Sequence, residues 1–246
     1  MGRKAGSKIL KRSMAPNFWS LAKKQKRFVT RPHSGPHNLK SSMPLTVLLR
    51  DILNLTKTYN ESKYVINEGN IQVDGKIRRD THFPVGLMDV IEIGKINQIY
   101  RLVPSNNLLS PLLISPEEKN MKLCKVIGKK SLNQNTYQYS LHDGRTLLLS
   151  SETNISVGST LKLEIPSQKV LKVLELKKDN LVALIGGQNK GNFGKIINIK
   201  SSSISRPQIL EIEVNTNLIE APSRITMVVG KNKPELHLYG DDDTIQ

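Results

Sequence analysis

The sequence predicts an α+β protein of several small modules. These are a basic, extended N-terminal arm over residues 1–43, a small α+β module over 44–104, a central β-barrel-like domain over 105–175 and a C-terminal β domain over 176–246. Three observations lead there. Charge is concentrated at one end: twelve Lys and Arg precede the first acidic residue, Asp51, in a chain of net charge +16. Apolar residues follow helical spacing from Leu45 to Leu53 and alternate as in a strand from Ile71 onward. Turn signals at Asp74-Gly75, Asp143-Gly144 and the glycine-rich stretch 186–194 cut the alternating part into short strands. With 37% hydrophobic residues, 16 Gly and 12 Pro in 246 residues, the composition suits small β-rich units joined by turns.

In the arm, Arg3, Lys4, Lys8, Lys11, Arg12, Lys23, Lys24, Lys26, Arg27, Arg31 and Lys40 carry charge of one sign. Such a block repels itself and is not expected to pack as a core. Its counterpart is a polyanion, and nucleic acid is the commonest one inside cells. Ala15-Pro16, Arg31-Pro32 and Gly35-Pro36 block long helices, so the arm is expected to be extended and to order only when bound. Trp19, the only tryptophan, sits among Phe18, Leu21 and Phe28. Either this cluster fastens the arm to the folded body, the preferred reading, or Trp19 stacks on a base. His33 and His37 are four apart, but Gly35 and Pro36 between them rule out the helical face on which that spacing binds zinc. Both are counted with the arm's candidate RNA contacts.

A basic amphipathic membrane helix over residues 8–29 is a weaker reading, because apolar residues are sparse there and Pro16 interrupts them. No apolar run reaches bilayer length, and no apolar segment follows the leading charges as in a secretory signal. Gly6 stands where a myristoylation pattern wants Ser or Thr. Cys124 is the only cysteine, so no intrachain disulfide is possible, which fits a reducing compartment.

From Pro44 the pattern is helical. Leu45, Leu48, Leu49, Ile52 and Leu53 mark one buried face, and Pro44 suits the first turn. Thr58 and Glu61 form a capping-box signature for a second helix running to about Glu68, with Gly69 just past its end. Tyr64 and Val65 are placed on its inner side and Lys63 outside. Ile71–Val73 reads as a strand turning through Asp74-Gly75 into Lys76-Ile77. Strands follow at 89–93 and 99–103. Pro104, Pro111 and Pro116 mark 105–120 as a connection. The central strands are read at 123–127, 136–141, 146–149, 161–165 and 170–176, enough to close a small barrel. The last unit has strands at 181–185, 195–200, 209–214 and 225–229, and Asp241-Asp242-Asp243 is read as a solvated tail.

The glycine-rich stretch fails as a nucleotide site. Asn189 stands where a P-loop needs its first Gly, Ile196 follows Gly194-Lys195, and a strand rather than a helix comes next. It reads instead as a tight turn whose glycines allow close backbone approach, with Lys190 and Lys195 offering charge. Cys124, His82, His142 and His237 show no ligand spacing, so no metal or cofactor is expected. Asp143 beside His142 has no nucleophile in a recognisable elbow. Lys63, Lys76, Arg78 and Arg79 are candidates to extend the arm into one basic surface.

Ser62-Lys63-Tyr64-Val65-Ile66-Asn67-Glu68-Gly69-Asn70-Ile71-Gln72-Val73-Asp74-Gly75 resembles the S4-type RNA-binding module of ribosomal proteins, some pseudouridine synthases and tRNA synthetases. Lys63, Ser62 and Asp74 stand where that module usually has Arg, Ala and Asn; Lys63 keeps the charge but not a bidentate phosphate contact. Residues 180–199 resemble the KOW motif of SH3-like barrels. Together with Gly2-Arg3-Lys4, Leu10 to Pro16 with Trp19, Arg31 to His37, Asp74 to Asp80, Gly86 to Ile91 and Gly230-Lys231-Asn232-Lys233-Pro234, nearly the whole chain resembles the archaeal and eukaryotic small-subunit ribosomal family S4e. The resemblance implies a cytoplasmic, ribosome-associated protein that binds small-subunit ribosomal RNA and neighbouring small-subunit proteins. It implies a role in architecture and assembly, with no catalysis, membrane or small-molecule substrate. An RNA-modifying enzyme is the rival from another class, but the Gly-Arg-Leu-Asp of pseudouridine synthases is missing. A free-standing factor using the KOW unit is the third reading.

Overall fold

A computed structural model of the chain describes residues 9–22, 27–133, 136–150, 155–201 and 207–239. Its first surprise is the arm. Strand β1 (Leu10–Lys11) pairs antiparallel with β2 (Phe28–Val29), and two 3-10 turns, Arg12–Met14 and Asn17–Trp19, follow β1. Trp19 is 0% exposed and its indole Nε1–H donates to the Ser42 carbonyl at 2.8 Å. The described part of the arm therefore folds back, contrary to the extended, order-on-binding arm expected from its charge. The reason is apolar: Leu10 and Trp19 join a core with Met43, Leu45 and Leu48, while Lys11, Arg27 and Lys40 stay outside. A charge block can fold if only its few apolar side chains enter the core.

Strand β3 (Ser42–Pro44) leads into α1 (Leu45–Val47), which continues as a π-helical turn, Leu48–Ile52. Helix α2 (Tyr59–Asn67) carries the full capping box of Thr58 and Glu61, and Gly69 closes it at φ +80°. Its inner face differs from the expected one. Ser62 and Ile66 are buried, whereas Tyr64 is 65% exposed beside Glu68 and Lys95. Ser62 takes the inner position because its hydroxyl bonds to Thr56 Oγ1 at 2.6 Å and donates to the Thr58 carbonyl.

The next six strands are β4 (Ile71–Val73), β5 (Lys76–Ile77), β6 (Pro84–Gly86), β7 (Val90–Ile93), β8 (Gln98–Ser105) and β9 (Leu108–Leu113). Five form a sheet in the order β5-β4-β7-β8-β9, and β6 pairs with β3. Asp74 and Gly75 turn β4 into β5 with φ of 51° and 71°, the left-handed pair a two-residue hairpin requires. Residues 108–113 are thus a strand and not part of a connection. Pro111 is tolerated because β9 is an edge strand, and Pro104 lies beyond the stretch of β8 that β7 covers.

The central sheet runs β12-β11-β10-β13-β14. Its strands are β10 (Met121–Asn133), β11 (Thr136–Leu141), β12 (Thr146–Ser150), β13 (Thr160–Glu164) and β14 (Val170–Leu174). The long β10 pairs with β13 through its first residues and with β11 beyond an irregularity near Ile127. The last sheet runs β18-β17-β16-β15-β19. It contains β15 (Leu181–Leu184), β16 (Phe193–Lys200), β17 (Ile209–Val214), β18 (Asn217–Pro222) and β19 (Thr226–Gly230). Strand β18 was not foreseen. Asn215 at φ 54° makes the tight turn that returns β17 into it. Met88, Val103, Leu123 and Leu174 share one core with this sheet, so the units are packed together and not strung on linkers.

Candidate nucleic-acid interface

Lys11, Arg27 and Lys40 on the arm, Lys63 on α2, Lys76 on β5 and Arg79 after it are exposed and join no ion pair among the described residues. Their sidedness follows from local structure. Lys63 is exposed at the flank of the Ser62–Ile66 face, and Arg79 lies beside Gly69 at the end of α2. The arm then runs along the segment after β5. The His33 N–H donates to the His82 carbonyl at 2.9 Å, the His82 Nδ1–H to the Arg31 carbonyl at 2.7 Å, and the His33 and His82 rings stack 4.5 Å apart. This brings Arg31 and His33 next to the stretch that carries Arg78 and Arg79. His33 also donates to Asp80 at 3.1 Å in an exposed pair. Arg78 stacks over Phe83 at 4.4 Å, and with Lys76 it lines a cavity of about 390 Å³ shared with Gly35 and Pro36.

Other candidate contacts are engaged inside the protein. Trp19 is sealed in the core, so it fastens the arm and does not stack on a base. His37 is equally buried, its Nε2–H donating to both carboxylate oxygens of Asp89 at 3.0 Å, which removes it from any RNA surface. Arg12 donates to the Leu21 carbonyl at 2.8 Å, and its Nε is a buried donor without an acceptor among the described residues. Lys190 is half-buried over the Phe18 ring at 4.8 Å, where burial lowers its pKa. Lys195 faces Asp179 at 3.4 Å. Arg3, Lys4, Lys8, Lys23, Lys24 and Lys26 lie outside the described residues, as does the acidic run Asp241 to Asp243.

The glycine-rich loop packs inward. Gly191, at φ 101°, has its α-carbon so near the β8–β9 turn that a Cβ would meet the Asn106 nitrogen at 2.8 Å, and the Asn107 N–H donates to the Lys190 carbonyl at 3.0 Å. Glycine here permits docking of one unit on another.

Sequence reasoning missed the ionic junction between the units. Lys122 on β10 is fully buried, with its ammonium 2.6 Å from both Asp74 and Asp89 and 3.2 Å from Asp143. Arg145 closes the group against Asp74 at 2.6 Å and Asp143 at 3.1 Å. Burial alone would lower the Lys122 pKa, but Asp74 and Asp89 hold it well above the usual lysine value. Burial would raise Asp89, yet His37 and Lys122 drive it far below the carboxylate range. Nearby, Cys124, His142 and Asp143 offer three would-be metal ligands within 4.8 Å of one another. Each is already committed. The thiol donates to Asp143 at 3.4 Å, the His142 Nδ1 accepts from the Lys125 N–H, and its Nε2–H donates to the Leu87 carbonyl. With Asp143 also neutralising Lys122 and Arg145, this donor set suits a structural network and not a metal.

Residues 96–170 match the family described as Ribosomal family S4e, and residues 4–40 match the RS4NT (NUC023) domain. The small ribosomal subunit protein eS4 of Desulfurococcus amylolyticus is 36% identical over 248 residues, covering 97% of this chain and 98% of that protein. The eS4 of Metallosphaera sedula is 39% identical over 235 residues, covering 90% and 95% respectively. The crystal structure of the 30S ribosomal protein S4e from Thermoplasma acidophilum superposes with a TM-score of 0.69 at 28% identity, covering 78% of this chain and 96% of that one.

Proposed function

The chain belongs to the ribosomal S4e family, and from that premise we propose that it binds small-subunit ribosomal RNA and supports subunit assembly as a ribosome-associated cytoplasmic protein. The family is one of structural ribosomal proteins and not of enzymes. One observation carries the RNA reading. Lys11, Lys40, Lys63, Lys76 and Arg79 stand exposed with no acidic partner among the described residues, while cations inside the protein are matched to carboxylates or carbonyls. Unmatched cations on a folded surface favour a polyanion, and phosphate contacts of this kind position a protein on structured RNA.

In this reading the arm over 1–43 and the S4-like module from 44, whose sheet continues through β9 to Leu113, form the RNA face. The central domain that follows and a KOW-type, SH3-like unit over 176–246 hold that face in shape and meet neighbouring small-subunit proteins. The test is sedimentation: the native protein should travel with small subunits in one-to-one ratio through a high-salt wash. Release into the supernatant would mark a free-standing factor instead.

A further inference from the structure

A cavity of about 560 Å³ separates the arm from the end of the first helix. Its arm side includes Arg12, Leu21, Phe28 and Val29; its other side is Arg50, Asp51, Asn54, Thr56 and Lys57. The volume is in the range of small-ligand sites. The two sides differ in chemistry. Leu21, Val29 and Phe28 make an apolar wall, and Phe28 is 49% exposed. On the polar side Asp51 is already neutralised by Arg50, which donates to it at 2.8 and 2.6 Å. Lys57 and Arg12 therefore leave the described lining net positive, and the Arg12 Nε is a buried donor without an acceptor among the described residues.

We propose that this cavity receives a single unpaired nucleotide of RNA, its base against Phe28 and the apolar wall and its phosphate toward Lys57 and Arg12. The proposal rests on the RNA reading above and adds a stacking site to a surface otherwise made of phosphate contacts. Splayed bases held on an aromatic ring are the usual means of reading structured RNA. The hairpin of β1 and β2 supplies the wall, which gives the folded-back arm a binding role distinct from its charge.

The test uses the full chain and two RNA duplexes of one sequence, one with a single-nucleotide bulge and one fully paired. At fixed salt the bulged duplex should bind tighter by about tenfold, the scale of one base stacked on an aromatic. That ratio should collapse toward one in Phe28→Ala, persist in Phe28→Tyr and shrink in Lys57→Gln, whose exposed position leaves folding intact. If wild type binds both duplexes equally, the pocket proposal is wrong while RNA binding stands. If neither duplex binds at low salt, the RNA reading itself fails. Selective displacement of the bulged duplex by a polyglutamate peptide that is itself weakened by Phe28→Ala would reassign the cavity to an acidic protein partner.

Discussion

The chain deploys its cations in two opposite ways. On the arm and around α2 and β5, Lys11, Lys40, Lys63, Lys76 and Arg79 stand exposed with no carboxylate partner among the described residues. Between the units they are sealed: Lys122 among three aspartates, Arg101 between Glu118 and the His237 and Met121 carbonyls, and Lys125 among the Ser223, Arg224 and Thr226 carbonyls. Burial lowers Lys125 to about 8, whereas the aspartates around Lys122 overcome the same effect. The contrast teaches that a lysine's role is set by its neighbours and not by its type. An exposed cation with no carboxylate nearby is free for an external anion; an interior one fixes which surfaces of the same chain meet.

The sharpest way to break this contrast is Lys122→Met. It leaves Asp74, Asp89 and Asp143 buried with only Arg145 and His37 to offset them and should destabilise the protein by about 3–5 kcal/mol, measured by denaturant unfolding. A loss below ~1 kcal/mol would mean that water or rearrangement replaces the ammonium.

Next in size is Trp19→Phe, which removes the Nε1–H bond to Ser42 and leaves a void. A loss of about 2 kcal/mol is expected, together with faster proteolysis within the first 40 residues. An unaltered cleavage rate would show that the arm is not held by this residue. The same packing makes removal of residues 2–40 a poor probe of charge alone, because it takes Leu10 and Trp19 out of the core.

A third test uses pH. Burial lowers His142 to about 4, so the folded state holds fewer protons than the unfolded chain between pH 6.5 and 4. Stability is then present above the unfolded value and lost as pH falls through that window. The loss should be about 2 kcal/mol given the ring's partial exposure, and flatter in His142→Gln. A profile unchanged by the substitution would exclude this histidine as the source.

The smallest effect on folding belongs to Lys76→Gln, within about 0.5 kcal/mol of wild type. Its signature is in RNA binding, where the log–log salt slope should fall by roughly 0.7–0.9. An unchanged slope would remove Lys76 from the RNA face.

Local features were legible from sequence. The capping box at Thr58, the Asp74-Gly75 hairpin and the exposed Lys63 all depend on residues within a few positions of one another. What escaped was non-local. In Lys122-Leu123-Cys124-Lys125 the two lysines fall on opposite faces of β10, and nothing local shows that β10 lies between units with both of its faces covered. His37 looked like one more arm residue because its partner, Asp89, is 52 positions away. Pro111 looked like a break because an edge position cannot be read from composition.

The Lys122 junction also bears on synthesis. Asp74 leaves the growing chain 48 residues ahead of that ammonium and Asp89 leaves 33 ahead. The junction can therefore close only once the chain has been made through Lys122, because the ammonium that neutralises both carboxylates comes from the central sheet.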